Sequence, residues 1–213
     1  MNKNFFLIIL LFVTPVLSAQ PAHSQAASVL EKTAQKYNAL SAFSLNFSVK
    51  IEDKKSQNKN FTGVLFVKKE KYFLTFEDQI IATDGKMAWN YQKNSNEASL
   101  FETDDDDFSI YNPAKLLNNW NSEYYAKVIR EEVFQKKQVI IVDLTPQKKR
   151  SFYKIRLFID KTTSYIQQIM MYETDGTTLT YTNTKFTPNP VIADTKFTFN
   201  KNDYPDVQVN DMR

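Results

Sequence analysis

Side chains able to do covalent chemistry are nearly absent from this chain. Among its 213 residues there is no cysteine and one histidine, His23. Without a thiolate, and with no histidine in the body, the Cys–His and Ser–His nucleophilic pairs and the common zinc sites cannot be assembled. His23 lies near the mature N-terminus, outside the expected folded body. The three glycines, Gly63, Gly85 and Gly176, are isolated from one another, so no phosphate-cradling loop can be built from them. Glu77-Asp78 and Glu131-Glu132 are adjacent acids, but neighbours on a strand point to opposite faces, and these read as solvated turn residues. The run Asp104, Asp105, Asp106 and Asp107 lacks the glycine and spacing of an EF-hand and reads as an exposed loop. The expectation is a protein that is not an enzyme and that holds no cofactor and no metal.

The elements that must carry any function begin after a leader. Lys3 is followed by an unbroken apolar run from Phe5 to Val13, then by small residues at Ser18 and Ala19. That is the pattern of a cleaved signal peptide over residues 1–20, and the run is about half the length that crosses a bilayer. Residues 21–213 are then one domain, exported to a periplasm. A formal charge of +3 does not suggest a nucleic-acid partner. With no disulfide available, stability must come from apolar burial and strand pairing.

Residues 26–40 place Ala27, Leu30, Ala34 and Tyr37 on one helical stripe, with Ser24 or Ser28 as a cap. The period then becomes two: Leu45, Phe47, Val49 and Ile51 alternate with polar neighbours. Strands are expected at 61–67, 72–76, 79–82, 87–91 and 98–101. A second set follows at 124–130, 139–144, 152–159, 166–173, 178–186 and 196–199. Asp84-Gly85 and Asp175-Gly176 mark hairpins. Asn112-Pro113 opens a short helix over 114–120 with Leu116, Leu117 and Trp120 on one side. Several strands are apolar on both faces, which calls for a cover on the second face. The fold expected is mainly β: a curved antiparallel sheet forming an incomplete β-barrel of about eleven strands, with a helical lid.

Two stretches carry a resemblance. Phe61-Thr62-Gly63-Val64-Leu65-Phe66-Val67-Lys68-Lys69 is a glycine-led strand ending in a basic pair. Ile81-Ala82-Thr83-Asp84-Gly85-Lys86-Met87-Ala88-Trp89-Asn90-Tyr91 is a strand ending in Asp-Gly-Lys and then Trp-x-Tyr. Together with the segment from Ala193 through Phe199 to Asp211, their order resembles the periplasmic outer-membrane lipoprotein carrier family, LolA. The resemblance implies a non-enzymatic carrier with an apolar cavity under a helical lid. It would take the acyl chains of triacylated lipoproteins from an ATP-driven release complex in the inner membrane. It would then carry them, as a monomer, across the periplasm of a Gram-negative cell to an outer-membrane acceptor. Where the family places a lid-locking arginine this chain has Lys69, and Glu70 replaces the usual proline. Lysine donates hydrogen bonds but lacks the planar fork.

The physical case is separate. A triacyl anchor has about 45 methylenes, each worth roughly 0.8 kcal/mol on burial, so it does not cross water unshielded. Residues expected to line an acyl cavity are Phe47, Val49, Phe66, Phe73, Met87, Trp89, Phe101, Leu157, Ile169 and Met171. Leu30, Tyr37, Leu116 and Leu117 would sit under the lid, and Lys69 would gate it or touch a partner. The basic clusters Lys68, Lys69, Lys71 and Lys148, Lys149, Arg150 read either as partner contacts or as plain surface loops. Two other readings stay open: a lipid- or lipoprotein-sensing module on the same scaffold, and a secreted structural β-domain with a filled core.

Overall fold

The structure, a computed structural model, describes residues 22–53, 58–102 and 113–212. The acidic run at 104–107 and the expected cap Asn112 lie outside the described residues. α1 (Ala22–Asn38) buries Ala26, Leu30, Thr33 and Tyr37, a stripe at three- and four-residue spacing. The expected stripe is turned slightly, with Ala27 and Ala34 half-buried beside it. Ser28, expected as a cap, stands inside the helix, as do Ser24 and His23. The short helix expected over 114–120 is two pieces, α2 (Pro113–Asn118) and α3 (Trp120–Glu123).

Among the described residues twelve strands form a single sheet. They are β1 (Phe43–Glu52), β2 (Lys59–Lys68), β3 (Lys71–Phe76), β4 (Gln79–Thr83), β5 (Met87–Gln92) and β6 (Glu97–Glu102), then β7 (Tyr124–Phe134), β8 (Lys137–Pro146), β9 (Phe152–Asp160), β10 (Ile166–Glu173), β11 (Thr178–Pro188) and β12 (Gln208–Asp211). The spatial order is β12-β6-β5-β4-β3-β2-β1-β11-β10-β9-β8-β7, so β1 and β11 join two meanders. Every pairing is antiparallel except β12 on β6. The turns follow local chemistry. Lys69 and Glu77 take positive φ at tight hairpins, and Asp84 Oδ1 accepts the N–H groups of Lys86 and Met87, each at 2.9 Å, beside Gly85 at φ 95°.

The expected incomplete barrel is overturned. The sheet is open, with β7 and β12 as free edges, and is neither closed nor strongly curled. Closure is one way to protect edges, and this chain uses others. β7 carries Lys127, Arg130, Glu131 and Glu132 and a bulge between Val128 and Arg130, while β12 is only 4 residues long. Curling is also not needed to hide the second apolar face, because the chain covers its two faces separately.

Register assigns the faces. Leu45, Leu65, Leu74 and Ile81 stand opposite one another across four strands, on the side where α1 and α2 pack. Val142, Leu144, Ile155 and Leu157 extend this core across the other meander. Phe66, Phe73, Ala82 and Trp89 align on the reverse side. There Ile192 and Phe197 cover Phe66 and Phe73. Residues 196–199, expected as a strand, enter a 3-10 turn at Asp194–Phe197 instead. The alternation of Phe197 and Phe199 reflects packing on this face, where Phe197 is fully buried and Phe199 meets the Trp89 ring.

Gly63 is required by close approach. A Cβ there would lie 2.3 Å from Phe47 Cζ and 2.6 Å from the Thr75 carbonyl oxygen. Gly63→Ala is expected to lower stability by about 1–3 kcal/mol, read as a lower urea midpoint with an unchanged slope.

Candidate functional site

Between the helices and the sheet lies an apolar cavity of about 60 Å³. Phe47, Leu65, Leu74, Ile169 and Tyr181 form its floor and walls, and Tyr37 of α1 and Pro113 of α2 form its roof. Gln167, Gln168 and Asn183 supply its polar edge. Polar links help to fasten the roof. Tyr37 Oη accepts the N–H of Ile166 at 3.3 Å, and Asn38 Nδ2 of α1 donates to Asn118 Oδ1 of α2 at 2.8 Å. Burial pushes the Tyr37 hydroxyl above the ordinary tyrosine range, so it stays neutral. The Tyr37 ring also meets Phe43, Tyr165 and Phe186 edge-on at centroid distances of 5.3, 5.5 and 6.0 Å. At the far end of the roof, Arg150 pairs with Glu123 of α3 and lies over the Tyr124 ring at 5.7 Å.

The structure does not bring all the sequence-predicted residues to one place. Phe47, Val49, Phe101, Leu157, Ile169 and Met171 are on the helix-covered face, and Phe47 and Ile169 line the cavity itself. Leu30, Tyr37, Leu116 and Leu117 are buried in the core formed with α1 and α2. Phe66, Phe73, Met87 and Trp89 face the other way. Lys69 is exposed on the β2–β3 turn and lines a cleft of about 330 Å³ with Asn38, Lys115 and Asn118, where α1 and α2 come together.

On the first meander the reverse face is covered by a strap running from Ile192 to Asp211. Trp89 Nε1 donates to the Phe197 carbonyl at 3.4 Å, and the Trp89 ring meets Phe199 and Tyr204 at 5.5 and 6.0 Å. Lys196 Nζ sits 4.2 Å from the centroid of Phe66 and 4.3 Å from that of Phe73. Lys68 and Lys71 hold Asp194 at 2.8 and 3.4 Å, so this basic cluster fastens the chain to itself. Lys148 and Lys149 are exposed. Asp194, Tyr165, Phe186 and Asn183 were not legible as site residues, since each acts through a partner far away in sequence. Among the described residues no group of three or more His, Cys, Asp or Glu is placed to hold a metal ion, and no helix is long and apolar enough to cross a membrane.

Comparison with known proteins agrees with this architecture. The family described as Outer membrane lipoprotein carrier protein LolA matches residues 38–200. The chain belongs to that family. An uncharacterized protein of Methanocaldococcus jannaschii is 22% identical over 202 residues, which is 93% of this chain and 58% of the relative, so the chain spans just over half of that protein's length. In three dimensions an uncharacterized conserved protein from Thermus thermophilus aligns with 88% of this chain and 99% of its own, at TM-score 0.60 and 10% identity. A DUF1329 family protein from Desulfovibrio piger aligns with 84% of this chain and 98% of its own, at TM-score 0.50 and 10% identity. These likenesses concern the fold.

The strap anchor is expected to respond to pH and salt. Hydrogen bonds from Lys68 and Lys71 hold the Asp194 carboxyl below its ordinary value of 3.8. A depressed carboxylate contributes fully above that ordinary value, and its contribution is lost as pH falls through the lowered native one. Asp194→Asn at neutral pH, or acidification of the wild type below that value, is expected to loosen the strap. The readout is a red shift of Trp89 fluorescence in a Trp120→Phe background. In the wild type at neutral pH, high salt should produce part of the same shift.

Proposed function

We propose that this LolA-family protein is a periplasmic carrier that shields the acyl chains of lipoproteins between its sheet and its helices. The observation that carries the reading is a small apolar void already present between the sheet and a helical roof that packs on it through apolar side chains. At about 60 Å³ the void has room for only a few water-sized spheres, far from an acyl chain, so cargo enters by displacing α1 and α2 from the sheet. The wall that becomes available is then the helix-side set Phe47, Val49, Phe101, Leu157, Ile169 and Met171, with Leu30, Tyr37, Leu116 and Leu117 lying over the chains. Such a wall is apolar without being shaped to one ligand, and Met171 adapts to irregular chains. Phe66, Phe73, Met87 and Trp89 take no part while the strap stays in place.

The chemistry asked of the protein is partition alone. Cargo arrives from an ATP-driven release complex in the inner membrane and leaves to an outer-membrane acceptor, each transfer exchanging one apolar environment for another. Lys69 borders the cleft at the ends of α1 and α2 and there stands where it would touch the moving lid or a docking partner. No cofactor or metal has a role in this scheme.

Two expectations test it. A photoreactive residue placed at Phe47 or Ile169 should crosslink to a triacylated lipoprotein, and the protein should release that lipoprotein from inner-membrane vesicles supplied with ATP and the release complex. Crosslinking without release would favour the sensing module, and neither would sink the carrier reading. Tyr37→Phe removes the acceptor for the Ile166 N–H, at about 1–3 kcal/mol, and should lower the Tm while raising lipopeptide uptake, followed by displacement of an environment-sensitive dye.

A further inference from the structure

The cavity sits where the sheet comes apart. The β10–β11 ladder runs from Tyr172 opposite Thr178 to Gln168 opposite Thr182 and ends there. Two bulges flank that end. On β10, Gln167 is the extra residue between the pairs Ile166–Ile159 and Gln168–Phe158. On β11, Thr184 is the extra residue between the pairs Phe47–Asn183 and Asn46–Lys185. Bulges re-aim side chains and terminate pairing, and here they leave a seam that opens onto the apolar space.

Side chains take over where the ladder stops. Asn183 Nδ2 reaches across the seam to the Ile166 carbonyl at 3.5 Å, and Ile166 in turn gives its N–H to Tyr37 of the roof. Gln168 Nε2 donates to Thr182 Oγ1 at 2.9 Å. Gln167 is buried, with its Oε1 held by Lys137 at 2.7 Å and its Nε2 donating to the Tyr165 carbonyl at 3.3 Å. Asn183 lines the cavity, and its Oδ1 is buried and has no donor. Its Nδ2 bond to Ile166 fixes which end of the carboxamide is which.

We infer that this seam recognises the amide of an N-acylated ligand, with Asn183 Oδ1 accepting the amide N–H once the roof has opened. The inference rests on the carrier reading above. A hydrocarbon packed against Asn183 would leave its carbonyl desolvated and unpaired, and an ester linkage brings only acceptors. An amide-linked acyl chain brings a donor at the junction between its apolar and polar parts. The seam has the same composition, with the apolar Phe47, Ile169 and Tyr181 and the polar Gln167 and Gln168 lining the same space as Asn183. Asn183 is then a specificity residue, in addition to the apolar wall that supplies most of the affinity.

The test compares two ligands on the purified protein: an N-palmitoyl tripeptide and its counterpart in which the acyl amide N–H is replaced by an ester oxygen. Affinities are read by displacement of an environment-sensitive dye. The amide should bind about 5–10-fold more tightly, the range expected for one hydrogen bond to a buried acceptor. Asn183→Leu should bring that ratio to about one while binding the ester at least as well as the wild type. Equal affinities on the wild type would overturn the amide recognition and leave the carrier reading standing. Binding of neither ligand would overturn both. Full discrimination retained by Asn183→Leu would take the role away from Asn183, and the wild-type comparison stands whether or not the variant folds.

Discussion

A sheet with apolar side chains on both faces is stable in water only when both faces are covered, and the rest of this structure follows from that constraint. One cover is helical: Leu30 and Tyr37 of α1, Leu116 and Leu117 of α2 and Trp120 of α3 are all buried against the sheet. The other is the chain's own end, with Ile192 and Phe197 set against Phe66 and Phe73. Each large side chain buried in this way is worth about 1.5–3 kcal/mol, so either cover is held mainly by apolar area and only directed by its polar links. α2 and α3, at 6 and 4 residues, are too short to be stable helices alone. Their shape depends on the sheet below them.

Much of the fold was legible because its signals are local. The α1 stripe, the alternation of β1 and the Asp84-Gly85 turn each need only a few neighbouring residues. The assignment of faces was not local. Val64-Leu65-Phe66-Val67 is apolar at every position, so a period of two cannot say which residues face the helices. Only the register of Leu65 with Leu45 and of Phe66 with Phe73 decides it, and that places Trp89 and Met87 away from Phe47. The same limit explains the barrel. Two-sided apolar strands require cover, but their sequence does not say whether curvature or another segment provides it. The strap was legible as a pattern, Phe197 and Phe199, and not as a shape, because a 3-10 turn lying on a sheet and a strand within it can both alternate.

The candidate site was legible in kind more than in detail. An apolar wall with little chemistry follows from composition, and the resemblance to the LolA family rests on the same strands that build the fold. The features on which the proposed specificity rests have no sequence signature. The bulges at Gln167 and Thr184 contain neither glycine nor proline, and both arise from mismatched registers on two sides of one strand. Asn183 reads as an ordinary polar residue in a threonine-rich strand. Its neighbours Ile166 and Tyr37, linked to it by hydrogen bonds, are brought together by tertiary structure alone.

The two covers are not equivalent as doors. Lifting the strap would expose Phe197, which is fully buried, break the β12–β6 ladder and strip rings packed on Trp89. Lifting α1 and α2 would enlarge a void that already exists, at the expense of polar links that include the Tyr37–Ile166 and Asn38–Asn118 bonds and of the apolar contact that mainly holds this cover. A ligand rich in methylenes restores that apolar contact, whereas nothing it carries would replace a lost strand pairing. The helix side therefore has the smaller uncompensated cost of opening. The free energy that closes the roof on an empty protein is of the same kind as that which holds an acyl chain within it. In the proposed carrier both are apolar burial, so entry and release would stay near balance and the partners at each end would set the direction of transfer.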